Sequence, residues 1–335
     1  MVTINDIANR LGISISTVSK GLNGASDISE DLRQLVLDTA IEMGYQSKRM
    51  KNQTTKKLCI FIENMEYTSQ NQFGYDLILG FKQAAYRRGW DVTLYPATPA
   101  FQKKEKYDTY MLKNHFSGAF IVGFTLSDPW MEQFRHTAVP TVLFDNYIPG
   151  NPNICYVGTS SHEGISMAID HLFQLGHRKI AFLNGFPHSM IAEQRRQAYF
   201  NFMASHNLPT SEALATNGYH AKNSASCYIR SFLQEGATAI LCASDLIAAE
   251  AVIECRSLGQ SIPGDISVVG YDDLPVSAQL TPPLTTIRQN RLELGKCAYS
   301  ALEILIDHVP VSHILLHPQL IVRSSTACPG HNSLP

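Results

Sequence analysis

No apolar run in this 335-residue chain approaches the roughly 18 residues that a membrane-crossing helix needs. Runs such as residues 58–62 and 239–243 have the length of buried strands instead. The start, Met1-Val2-Thr3-Ile4-Asn5-Asp6, has no basic stretch and no apolar segment after it, so no secretory leader is expected and the cytoplasm is the expected location. Cysteines stand at 59, 155, 227, 242, 255, 297 and 328, an odd number without Cys-x-x-Cys spacing, several of them inside apolar runs. That pattern predicts buried, reduced thiols rather than a disulfide framework or a zinc site. His171, His188 and His220 lack metal-ligand spacing, so neither a metal nor a cofactor is assigned. There is no Gly-x-Ser-x-Gly elbow, no phosphate loop and no His-Glu-x-x-His, which removes the usual motif support for an enzyme. The tail after Thr326 has no heptad pattern, which argues against a coiled-coil tetramer module.

A large basic excess is also missing, since the net charge is −2. Its distribution says more. Residues 1–57 hold eight Lys/Arg against six acids, a net of +2 that leaves −4 for the rest. Five of those cations fall between Lys48 and Lys57, a stretch with no acid. A short basic segment after a small helical module suits contact with phosphates.

What is present is 44% hydrophobic residues, enough for a sizeable core, in a length that suits a small module plus a large one. Thr3 precedes Ile4, Ile7, Ala8 and Leu11 at helical spacing, with Asp6 three residues on, which predicts a capped helix that Gly12 ends. Ser14 caps a second helix to about Asn23, with Val18 and Leu22 facing inward and Ile15, Ser16, Ser19 and Lys20 free to face out. Ser29 caps a third, with Leu32, Leu35, Val36, Ala40 and Met43 on a stripe stopped by Gly44. Gly21 inside the second helix costs roughly 1 kcal/mol of propensity. It implies close approach of a bound molecule or of a neighbouring helix, or a helix completed only on binding.

From Leu58 onward, short apolar runs (58–62, 92–95, 119–123, 141–144, 179–183, 239–243, 267–270) alternate with helical stretches (75–88, 161–175, 192–205, 224–234, 246–258). This alternation predicts parallel sheets covered on both faces, and about 270 residues are more than one open sheet usually holds.

Helix, glycine turn and helix make a helix-turn-helix pattern. The runs 3–8, 12–20, 22–24 and 43–45 resemble the DNA-binding head of the LacI/GalR (lactose-repressor) family. The resemblance continues through Leu175-Gly176-His177-Arg178-Lys179-Ile180-Ala181, Ala243-Ser244-Asp245-Leu246-Ile247-Ala248, residues 262–273 and residues 281–289, and so covers about residues 3–326. It implies an α/β chain: a three-helix helix-turn-helix head (1–46), a basic linker (47–57), a periplasmic-binding-protein-like sensor (58–329) and a tail (330–335). The sensor would have two lobes with doubly wound parallel sheets, 58–158 with 288–314 and 159–287 with 315–329, and an effector between them.

The resemblance further implies a homodimeric regulator, a repressor in the first instance, that binds a near-palindromic operator in double-stranded DNA. Ile15, Ser16 and Lys20 would read bases, while Thr17, Ser19 and Asn23 suit phosphates. Family members carry a hinge helix whose leucine wedges into the minor groove. Here residues 45–57 are several residues shorter and have no such leucine. Met50 as a wedge and a linker that tracks phosphates both stay open. Asp145, Arg196, Ser244, Asp272 and Gln289 match effector-touching positions, and Phe73 and Tyr75 could stack on a ring. That polar set points to a hydroxyl-rich small molecule, a sugar first, with a non-sugar metabolite or a partner protein as the alternative. Asp145 and Asp272 could also be read as a glycosidase pair, against which the non-catalytic sensor resemblance weighs. Asp245 is expected to cap the helix from Leu246, Asp273 to lie in a surface turn, and His177 and Arg178 to serve structure.

Overall fold

A computed structural model of the chain describes residues 2–45, 56–187, 189–217 and 224–330. The head forms as its caps dictate. In α1 (Ile4–Leu11) the Thr3 hydroxyl accepts from the Asp6 amide at 3.3 Å and the Asp6 carboxylate accepts from the Thr3 amide at 2.8 Å, a reciprocal capping box. Ser14 Oγ accepts from the Thr17 amide at 3.1 Å to start α2 (Ile15–Asn23), and Ser29 Oγ accepts from Leu32 at 3.3 Å to start α3 (Glu30–Glu42). Ile7, Val18, Leu22, Val36, Leu37, Ala40 and Tyr45 close the core. A Cβ on Gly21 would lie 3.0 Å from Val36 Cβ, so the glycine reflects close approach of α2 and α3. Of the three readings of Gly21, the neighbouring helix is the one observed.

The sensor elements follow in order: β1 (Lys56–Ile62), α4 (Phe73–Arg87), β2 (Trp90–Pro96), α5 (Pro99–Lys104), α6 (Tyr107–Lys113), β3 (Gly118–Val122), α7 (Pro129–Phe134), β4 (Thr141–Phe144) and β5 (Ile154–Thr159). Then come α8 (Ser161–Gln174), β6 (Ile180–Asn184), α9 (Met190–Ser205), β7 (Ala215–Asn217), α10 (Ser224–Gln234), β8 (Ala239–Cys242), α11 (Asp245–Ser257) and β9 (Ser267–Asp272). The chain closes with α12 (Pro275–Gln279), β10 (Thr285–Arg288), α13 (Arg291–Ile306), β11 (His313–Leu316) and β12 (Gln319–Ile321). Two six-stranded sheets result, ordered β11-β5-β4-β3-β1-β2 and β12-β10-β9-β8-β6-β7. Neighbours from β1 to β5 and from β6 to β10 pair in parallel, and β12 joins β10 antiparallel. The central strands are buried on both faces, which is why they read as apolar runs.

The chain divides into two compact units. The first holds 1–65, 78–157 and 295–314; the second holds 66–77, 158–294 and 315–335. Residues 66–77 and 288–294 therefore leave the lobe expected for them. Arg291 joins these segments, with a 2.9 Å ion pair to Asp76 and a 3.4 Å bond to the Gln72 carbonyl. Lys56 and Lys57, expected in the linker, instead begin β1, where Lys56 pairs with Trp90 and its ammonium lies 5.2 Å from that ring's centroid. Strands β5, β7, β10, β11 and β12 escaped the apolar-run reading, and the last two are edge strands with exposed positions.

Cys59, Cys155, Cys242 and Cys255 are buried free thiols, as expected, whereas Cys328 is exposed. Burial pushes the Cys59 and Cys242 thiols well above their ordinary range. Among the described residues no helix is long and apolar enough to cross a membrane.

Candidate functional site

The reading face sits on α2. Ile15 is 53% exposed, and Ser16, Lys20 and Asn23 are exposed beside half-buried Thr17 and Ser19. The Ser14 hydroxyl lies 2.8 Å from both Ser16 Oγ and Thr17 Oγ1, which fixes the first turn. Asn23 Nδ2 donates to the Ser19 carbonyl at 2.6 Å, and Lys20 pairs with Asp27 across the turn that follows α2. All six expected head residues thus share one short helix, and its buried side is Val18, Gly21 and Leu22. Met50 lies outside the described residues.

A second cluster of polar groups is assembled within the second unit, where strand ends meet helix starts. Asp272 closes β9 at φ 110°, a left-handed conformation that side chains rarely adopt. It is 7% exposed, and its Oδ1 accepts from Gln289 Nε2 at 2.8 Å. Burial pushes the Asp272 pKa up to about 6, against the pull of Arg195, the Gln289 hydrogen bond and Arg291.

The arginine in this cluster is Arg195, not the expected Arg196. Arg195 is 8% exposed, its guanidinium carbon lies 3.8 Å from the Tyr271 ring centroid, and Nη1 donates to the Ala243 carbonyl at 2.6 Å. Its buried Nε has no hydrogen-bond partner among the described residues. Arg196 instead holds Glu212 with two 2.6 Å bonds and covers the Phe200 ring. The buried side of α9 is Ile191, Ala192, Arg195, Ala198, Tyr199 and Met203, a helical stripe that includes 195 and excludes 196. The periodicity of the sequence already carried that signal.

Ser244 is half-buried and caps α11, accepting from the Ile247 amide at 3.2 Å. Asp245 is therefore not the cap. Fully buried, it accepts from Thr286 Oγ1 and from the Leu274 amide, both at 2.6 Å, and so ties β10 and the start of α12 to α11. Burial first, and then the Asp272 carboxylate, push its pKa up to about 8. Phe73 and Tyr75, both half-buried, open α4 in this unit beside Asp76, the partner of Arg291. Arg291 and Asp76 were not anticipated. Asp145 follows β4 in the first unit at φ 57°, half-buried.

Asp273 is a correction as well. Its side chain is 9% exposed and holds Arg288 at 2.7 Å and Arg323 at 2.6 Å. His177 is buried among Thr238, Ser267 and the Ala327 carbonyl at 2.8–3.0 Å, and Arg178 covers the Phe173 ring, the structural roles expected for both.

The model for bacterial regulatory proteins of the lacI family matches residues 3–48, and that for the periplasmic binding protein-like domain matches residues 169–326. The HTH-type transcriptional repressor PurR of Mannheimia succiniciproducens is 27% identical over 97% of this chain and 98% of its own length. The HTH-type transcriptional regulator MalR of Streptomyces coelicolor is 29% identical over 98% of each. Among solved structures, the lac repressor dimer bound to operator and the anti-inducer ONPF superposes with a TM-score of 0.68 at 25% identity, over 97% of this chain and 99% of that one. The chain belongs to the lacI family of DNA-binding transcriptional regulators, with a helix-turn-helix head and a periplasmic-binding-protein-like sensor.

Proposed function

We propose that this chain is a repressor that binds a near-palindromic operator as a homodimer and is controlled by a small polar effector, a sugar first, held by Arg195, Asp272 and Gln289. Ile15, Ser16 and Lys20 read base edges, while Thr17, Ser19 and Asn23 hold phosphates. One relative is a repressor by name, and one solved-structure neighbour is a lac repressor dimer bound to operator.

One observation carries the effector half: a buried carboxylate bonded to a buried amide, beside an arginine whose Nε lacks a partner. Such groups are costly unless a ligand completes them, and a sugar supplies both donors and acceptors. Ser244, Phe73 and Tyr75 join the effector set from the same unit, and Asp145 remains a candidate from the first. A non-sugar metabolite is the second reading, favoured by a relative named PurR rather than for a sugar.

Thermal melting of the full chain against sugars, sugar phosphates, nucleobases and amino acids tests this. A ligand at about 100 times its Kd stabilises by roughly 2.7 kcal/mol. Arg195→Ala is expected to abolish the shift and Arg196→Ala to keep it. Loss in Arg196→Ala alone would sink the assignment, and no shift with any compound would favour a partner protein as effector.

A further inference from the structure

We infer that the head is docked on the first sensor unit by a charged clasp between α3 and α6, and that this clasp orients the reading helix in place of a leucine-bearing hinge. Glu30, Gln34 and Asp38 stand at i, i+4 and i+8 on α3 and so share one face. Lys106 and Lys113, two turns apart, stand at the two ends of α6. The Lys113 ammonium lies 3.7 Å from Glu30 and 3.4 Å from Gln34 Oε1, and Lys106 lies 3.7 Å from Asp38. Gln34 donates to Asp38 at 3.0 Å, which joins the acceptors into one row. Between the lysines, Leu112 packs on the head's own core.

Two further observations support the docking. An acidic stripe is a poor surface to turn toward DNA, and here it faces lysines while Ile15, Ser16 and Lys20 stay exposed on α2. The docked head is therefore competent to read. Beside the clasp the seam is closed by apolar packing only in part, at Leu112. A cavity of about 720 Å³ is lined by Ile41, Gly44 and Tyr45 of the head and by Trp90, Met111 and Leu112. The charged pairs, with Leu112 packed between them, thus set the head's orientation, and any shift of α6 is passed directly to α3.

Hydrogen exchange of the full chain without DNA tests the contact. In Lys106→Glu/Lys113→Glu, two attractive pairs become repulsive, and amides of residues 30–42 and 107–113 are expected to exchange roughly tenfold faster. Adding Glu30→Lys/Asp38→Lys restores the opposite charges and is expected to restore protection. Unchanged exchange in the first variant, or no rescue in the second, overturns the clasp. The orienting role is read separately, on a duplex that the unaltered chain selects from a random pool. Binding is expected to weaken roughly tenfold in the lysine variant. Unchanged or tighter binding would mean that the clasp does not prepare the head for DNA.

Discussion

Lys20 on the head and Arg195 in the second unit are the two cations proposed to meet another molecule, and they are held in opposite ways. Lys20 is 48% exposed and its contact is a surface pair with Asp27, of the kind that contributes at most about 1 kcal/mol. Arg195 is 8% exposed, laid on Tyr271 and tied to a backbone carbonyl. On that proposal, removing Lys20 touches recognition alone. Removing Arg195 strips a buried carboxylate of its cation, so binding and folding are affected together. A site that meets a large polyanion can stay on the surface, because the partner brings the charge. A site for a small neutral molecule must concentrate its groups out of water.

Three substitutions sharpen the contrast between a buried unit and an exposed face. The largest effect is expected from Gly270→Ala, whose Cβ would lie 2.2 Å from Asp245 Oδ1 and 2.7 Å from Leu284 Cδ2. Thermal melting should show a loss of about 3 kcal/mol, the upper end for overpacking, and an unchanged melt would mean that β9 and α11 give way freely.

Next comes pH. The Asp245 carboxyl has an ordinary value of 3.8 and is raised to about 8 when folded, so the unfolded chain loses its proton first. Stability from this group is complete below about pH 4 and is lost as pH rises toward about 8. Melting across that range should decline, and Asp245→Asn should flatten the decline. A variant that declines equally would place the titration elsewhere.

The smallest effect on folding belongs to Lys20→Ala. It should leave the melt within about 0.5 kcal/mol. Its cost of about 1–3 kcal/mol in binding should fall on one operator position, measured by competition between duplexes. A uniform loss across sequences would make Lys20 a phosphate contact.

The head was legible almost to the residue because its signals are local. Thr3, Ser14 and Ser29 are caps whose partners lie three positions away, and both Gly12 and Gly44 end helices at positive φ. Strands β1, β3, β4, β6, β8 and β9 were equally plain as apolar runs, whereas the interior strands β5 and β10 were missed. Edge strands β11 and β12 were missed as well, since each has exposed positions and none that is fully buried. In the sensor, Asp272 and Gln289 are hydrogen-bonded to each other, and the arginine buried beside them is Arg195 rather than Arg196. One step along a helix turns a side chain by about 100°, which exchanged a buried position for an exposed one.

The sequence by itself determined the three capped helices, the α/β alternation, the candidate reading residues and the family, because each depends on neighbours within a few positions. Only the tertiary structure decided that Asp245 bridges β10 and α12 rather than capping a helix, that Asp76 and Arg291 join segments 215 residues apart, and that α3 turns its acids toward α6. Such pairings are settled by which surfaces the fold brings together, and no local pattern of residue types encodes that.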